Sequence, residues 1–189
     1  LIFDEIVTGF RWSLGGAQEY FAVTSSLTKF GQGMANGMPL SAIVGRADIM
    51  REFEDIFVSS TFGGECLSLA AGLATITEMK NKKTIEHCWE IGHRLIDGLN
   101  DIGIETLGYP CRPILVIPND SPYMRSLLVQ ELVRRGILIH PGFLVNLCYS
   151  HSKEDIDETL SAFEDVLKLI KENKVELEGS VVQPAFRRL

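Results

Sequence analysis

Asp4 and Glu5 close a short apolar run, residues 1–3, and acids at the carboxyl end of a strand sit where an open α/β sheet presents its ligand cleft. The competing reading of the pair is a solvated turn. The glycine-rich stretch Gly31-Gln32-Gly33-Met34-Ala35-Asn36-Gly37 is not a phosphate-cradling P-loop, because no Gly-Lys-Ser/Thr follows, and it lacks the Gly-x-Gly-x-x-Gly spacing of a dinucleotide site. Ser59-Ser60-Thr61-Phe62-Gly63-Gly64 precedes a helix, so its hydroxyls and the helix amides could hold a phosphate, although a plain N-cap is the commoner use of such residues. Cys66, Cys88, Cys111 and Cys148 are too far apart for a Cys-x-x-Cys knuckle and read as buried, reduced, structural thiols. His87 and His93 are six residues apart, which sets them on different helix faces, and no His-Glu-x-x-His pair exists. No metal site is expected.

These groups must be positioned by elements that the hydrophobic pattern marks out. Residues 1–6 read as a strand, and the continuous apolar run at its start, residues 1–3, is of the kind a doubly covered parallel strand uses. A strand at residue 1 has no turn or polar lead-in, which makes a fragment of a larger domain the expectation. Strands are expected at residues 28–31 and 40–44, and a short helix at 47–53. Helices follow at 65–80, with Leu69, Ala70, Leu73, Ala74 and Ile76 on its packing side, and at 84–100, with Ile85, Cys88, Trp89, Ile91, Leu95, Ile96 and Leu99 at spacings of three and four. Beyond residue 101 a strand at 114–117 leads to a helix that Ser121 caps, Pro122 opens and Gly136 stops. Residues 137–140 and 144–149 read as extended, and Ser152-x-x-Asp155 is a capping box for a last helix burying Ile156, Leu160, Phe163, Leu167 and Ile170. The expected division is residues 1–100, a partial α/β large domain with its linking helix, and 101–189, a small α+β domain.

Composition narrows the function. The 189 residues carry 25 acidic against 18 basic side chains, a net charge of -7, with 46% hydrophobic residues. Binding to nucleic acid needs a basic face, and only Lys80-Asn81-Lys82-Lys83 approaches one. No run of about 18 apolar residues and no basic-then-apolar leader occurs, so no membrane partner is expected and the cytoplasm is the default location.

Taken in order, four segments resemble one family, the class-III, fold-type-I pyridoxal-phosphate aminotransferases, in the branch similar to glutamate-1-semialdehyde 2,1-aminomutase. They are Leu1-Ile2-Phe3-Asp4-Glu5-Ile6-Val7-Thr8-Gly9-Phe10-Arg11, the run from Phe30 through Gly37-Met38-Pro39 to Gly45, Ser60-Thr61-Phe62-Gly63-Gly64, and Tyr149-Ser150-His151-Ser152-Lys153-Glu154-Asp155-Ile156-Asp157. The resemblance covers essentially the whole chain and about the C-terminal half of such an enzyme. It implies the end of the fold-type-I large domain followed by the small C-terminal domain, a cofactor pyridoxal 5'-phosphate, a small amino or carbonyl substrate, and a homodimer with the cofactor site at its interface. It also assigns roles. Asp4 would hold the protonated pyridine nitrogen and keep the ring an electron sink. Ile6 would pack on the ring, and Thr61 would donate to the phosphate across the dimer interface.

At the position where this family carries its Schiff-base lysine stands Gln32. A desolvated amine serves as nucleophile and base, whereas a glutamine amide is neither. Lys29 lies three residues back, and strand alternation puts it on the opposite face. Ser25-Ser26 also replaces the family's usual Pro-Asp. The chain is therefore expected to be an inactive portion of an aminotransferase or aminomutase, with a non-catalytic cofactor-binding or dimerisation module as the alternative. An engineered lysine replacement, a natural loss and non-covalent cofactor binding all remain open as origins of Gln32. Arg11 reads as a structural ion pair or a weak substrate anchor, and His151 as a neighbour of the last helix's cap.

Overall fold

The computed structural model describes residues 1–183, and it divides into two compact units, residues 1–86 and 87–189, whose last six residues lie outside the described ones. The first unit is built on three strands, β1 (Ile2–Glu5), β2 (Leu27–Phe30) and β3 (Ala42–Gly45), in the spatial order β1-β2-β3. β1 and β2 run parallel with Asp4 opposite Lys29 and Glu5 opposite Phe30, while β3 returns antiparallel to β2. The expected parallel pairing thus holds for β1 and β2 alone. A parallel pair needs a long crossover, and residues 6–26 provide it with a single short helix, α1 (Ala17–Tyr20).

Period-two alternation separates the two acids of the first motif. Glu5 is buried, at 1% exposure, and accepts from the Ala17 amide at 2.9 Å, the Gln18 amide at 2.8 Å and the Thr8 hydroxyl. It is therefore a structural anchor that holds the crossover against the sheet. Gly16 is required there, because its φ is 81° and a Cβ would lie 2.5 Å from the Glu5 carboxyl. Asp4, on the opposite face, is exposed.

After β3 come α2 (Ala47–Met50), continued by a 3-10 turn (Arg51–Glu54), and α3 (Cys66–Lys82). Glu65 caps α3, its carboxylate accepting from the Leu67 and Ser68 amides at 2.6 and 2.8 Å. The packing side expected of this helix is not the one observed. Leu69 and Leu73 are 49% and 72% exposed, and the buried positions are Ser68 and Gly72. The small residues let the helix approach Leu40 and the turn at Gln32–Met34, since a Cβ on Gly72 would stand 2.7 Å from a Leu40 methyl.

The second unit holds the main core. α4 (Thr84–Asp101), expected as the link between domains, sends Ile91, Leu95 and Leu99 into it. They meet Leu115 of the antiparallel pair β4 (Glu105–Tyr109) and β5 (Arg112–Val116), Leu128 and Leu132 of α5 (Pro122–Arg134), and Ile156, Phe163 and Val166 of α6 (Lys153–Lys171). Ser121 accepts from the Met124 amide at 3.1 Å to cap α5, and the Ser152–Asp155 capping box opens α6. β4 was not legible in the sequence because Gly108 and the exposed Glu105 and Leu107 interrupt its alternation. Residues 144–149 do not form a full strand. They follow β5 through Val145 N to Pro113 O at 3.0 Å and a bridge between Ile114 and Leu144, after the Pro141-Gly142 turn and a left-handed Phe143 (φ 52°). Residues 137–140 likewise make no strand.

Two of the cysteines depart from the expected burial. Cys111 is buried and Cys88 half-buried, but Cys66 and Cys148 are exposed, and none of the four is in a disulfide. Cys66 opens α3 and Cys148 lies in the irregular segment before α6, positions where no partner element covers them.

Candidate active site

The outward face of β1 and β2 carries Asp4 and Lys29, and Ile6 and Gln32 follow beyond the ends of the two strands. Asp4 Oδ2 pairs with Lys29 Nζ at 2.9 Å, and Asp4 Oδ1 accepts from the Ile6 amide at 3.2 Å. The Lys29 hydrogen bond and then the Ile6 amide hold the Asp4 carboxyl below the usual carboxylate range, so it is ionised at neutral pH. Ile6 follows the end of β1, half-buried, and its Cδ1 lies close over the buried Gly31, where an added Cβ would approach it to 3.0 Å. Gln32 comes next, exposed, opening the 3-10 turn with a left-handed φ of 42°. An acid, an apolar side chain and the start of a turn therefore converge where two parallel strands end, the place where an open α/β sheet binds its ligand.

Lys29 has a neighbour that sequence reasoning did not give it. Strand alternation stops at Phe30, so it does not relate position 29 to position 32, and the parallel register sets Lys29 beside Asp4. Thr61 stands in an exposed turn of its own, closed by Gly63 N to Ser60 O at 3.2 Å, and the hydrogen bonds of that turn do not tie it to Asp4. Arg11 is half-buried in the crossover. His151 belongs to the second unit, where its carbonyl accepts from His87 Nε2 at 2.8 Å and its Nδ1 accepts from the Cys148 amide at 3.3 Å. Among the described residues no cluster of three His, Cys, Asp or Glu side chains is placed to hold a metal, and no helix is long and apolar enough to cross a membrane.

Solved structures with the same chain path are transaminases of the pyridoxal-phosphate fold. The internal-aldimine form of the Sphingopyxis FumI protein superposes with a TM-score of 0.85 at 22% identity, covering 93% of this chain and 44% of that one. An omega-transaminase from Sphaerobacter thermophilus superposes at 0.81 and 22% identity, over 89% and 44% of the two chains. The fold is thus that of the fold-type-I transferases: the end of a large α/β domain and a small α+β domain.

The class-III aminotransferase model matches residues 1–167, and the chain belongs to that family. A glutamate-1-semialdehyde 2,1-aminomutase of Alkaliphilus oremlandii is 36% identical over 185 residues, 88% of this chain and 44% of the relative. A 3-aminobutyryl-CoA aminotransferase of Cloacimonas acidaminovorans is 31% identical over 182 residues, 90% and 44% of the respective chains. The chain spans under half the length of these curated relatives.

Proposed function

We propose that this chain is part of a pyridoxal-phosphate-dependent aminotransferase or aminomutase acting on a small amino or carbonyl compound, and that the chain itself turns over little or no substrate. Support for the cofactor comes from the family and from the chemistry of the donor set. Asp4 is an ionised carboxylate at the end of a strand, with an apolar neighbour in Ile6. Those two residues fit a pyridine ring; position 32 does not fit its covalent attachment. Bound pyridoxal phosphate supplies an electron sink for a carbanion on the substrate. Asp4 would hold the ring nitrogen, Ile6 would pack on the ring, and Thr61 would donate to the phosphate from a second copy in a homodimer.

Gln32 carries the inactivity. Its amide nitrogen is delocalised and can donate a hydrogen bond, but it neither attacks an aldehyde nor moves a proton from carbon. A positioned general base alone contributes about 10²–10⁴-fold to a rate. The direct measurement is incubation with pyridoxal phosphate, borohydride reduction and mapping of modified lysines. The parent is expected to give no stoichiometric adduct, and Gln32→Lys to give one at position 32. A stoichiometric adduct at Lys29 in the parent overturns the inactivity reading. The second reading, a non-catalytic cofactor-binding or dimerisation module, rests on the same substitution, and it is preferred if Gln32→Lys binds the cofactor covalently yet shows no amino transfer. A cytoplasmic location is proposed with either reading.

A further inference from the structure

Residues 137–140 and 144–147 of the second unit run close to one another without pairing as a hairpin. The second run is bonded to β5, through Val145 N to Pro113 O at 3.0 Å and Leu147 N to Cys111 O at 3.4 Å, and among the described residues no backbone hydrogen bond joins it to residues 137–139. The gap between the two runs is a cavity of about 170 Å³. Its floor is the buried Leu95, Leu115, Ile156 and Phe163, and Ile137 and Ile139 form part of its wall. An apolar cavity of about 150 Å³ takes one benzene ring.

Polar groups line the same cavity. His140 Nδ1 accepts from the Gly142 amide at 2.9 Å, and His151 Nδ1 accepts from the Cys148 amide at 3.3 Å. A ring nitrogen that accepts carries no proton, so each neutral imidazole keeps its proton on Nε2 and is a donor there. Asp155 supplies the opposite function. Its bonds from the Ser152 amide and hydroxyl, at 2.8 and 2.9 Å, both end on Oδ2. Those bonds hold the carboxyl below the usual carboxylate range, so it is ionised at neutral pH.

We propose that this cavity binds a small uncharged aromatic compound bearing one hydroxyl, its ring on the apolar floor and its hydroxyl between His151 and Asp155. A hydroxyl both accepts and donates, so it can receive the Nε2–H of His151 and give its own hydrogen to Asp155 Oδ1. A carboxylate has no hydrogen to give and meets a like charge at Asp155. A hydrocarbon fills the floor and uses neither polar group. None of these residues belongs to the proposed cofactor site, and the inference does not depend on it.

Benzyl alcohol, toluene and benzoate serve as probes of the full chain, followed at pH 7 by the shifts of ¹⁵N-labelled backbone amides. Benzyl alcohol is expected to move the amides of Ile139, Val145 and Thr159 saturably, and benzoate is expected not to saturate over the same range. His151→Phe is expected to weaken benzyl alcohol about fivefold, the worth of one hydrogen bond, while toluene stays within about twofold. His151→Gln retains an N–H donor and is expected to bind benzyl alcohol as the parent does. Asp155→Asn keeps an acceptor for Ser152 and removes the charge, so it is expected to admit benzoate. The proposal is overturned by absence of saturable benzyl alcohol binding, by shifts that lie away from the cavity, by benzoate binding as tightly as the alcohol in the parent, or by equal losses of toluene and benzyl alcohol in His151→Phe. If His151→Phe loses its helical circular dichroism, Asp155→Asn decides, and continued exclusion of benzoate there overturns the proposal.

Discussion

Glu131 shows how one buried acid ties the second unit to its own C-terminal segment. It is 3% exposed on α5, bonded to Arg134 at 2.7 Å and Arg135 at 3.1 Å, and Arg134 in turn reaches Glu178 at 2.5 Å. Burial pushes the Glu131 carboxyl up, but hydrogen bonds from Gln130, Arg135 and Arg134 together outweigh it and leave the group below its ordinary value. A depressed folded value means that the stabilisation is complete above the unfolded carboxylate range, near pH 4.3, and is lost as pH falls through the lower folded value. Glu131→Gln is therefore expected to cost about 1–2 kcal/mol at pH 7 in urea denaturation, with the difference from the parent narrowing as pH falls through the lowered folded value. Asp4 and Glu5 make the complementary point. They are neighbours in sequence, yet one is exposed on the outward face and the other a buried clamp on α1, and strand alternation is the whole cause.

Two glycine and serine positions test the elements. Gly92 lets α4 lie against the turn between β4 and β5, because a Cβ there would stand 1.9 Å from the Pro110 carbonyl oxygen. Backbone cannot rotate away as a side chain can, so Gly92→Ala is expected to cost about 1–3 kcal/mol, read as a lowered urea midpoint. Ser152 receives the Asp155 amide at 3.1 Å while its own amide donates to Asp155 Oδ2 at 2.8 Å, and Ser152→Ala is expected to lose about 1 kcal/mol in the same measurement. The capping box, the N-cap at Ser121 and the stripes of α4 and α6 were readable because each is a local pattern of three to four residues. α3 was not, since its leucines suggest one packing side and the observed contact runs along Ser68 and Gly72, whose smallness matters only once Leu40 is known to lie above them. β4 was missed for a similar reason: its hydrogen bonds are made to β5, not within itself.

At the scale of the molecule the two units differ in how much apolar surface they cover. The second encloses a continuous core from Ile91 to Val166, whereas the first leaves Ile43, Val44, Phe57, Phe62, Leu67, Leu69 and Leu73 exposed. Surfaces of that kind associate. The chain is expected to self-associate at micromolar concentration, and Leu69→Lys with Leu73→Lys to shift it toward monomer in sedimentation velocity without changing its helical content. Sequence alone determined the family, through motifs at residues 1–11, 30–45, 60–64 and 149–157, and it determined that position 32 holds an amide in place of an amine, because side-chain chemistry is written residue by residue. Only the tertiary structure decided what surrounds Asp4. The pairing of residue 4 with residue 29 is a matter of register between two strands joined by a 21-residue crossover, residues 6–26, and no local pattern states which residues two distant strands will set side by side.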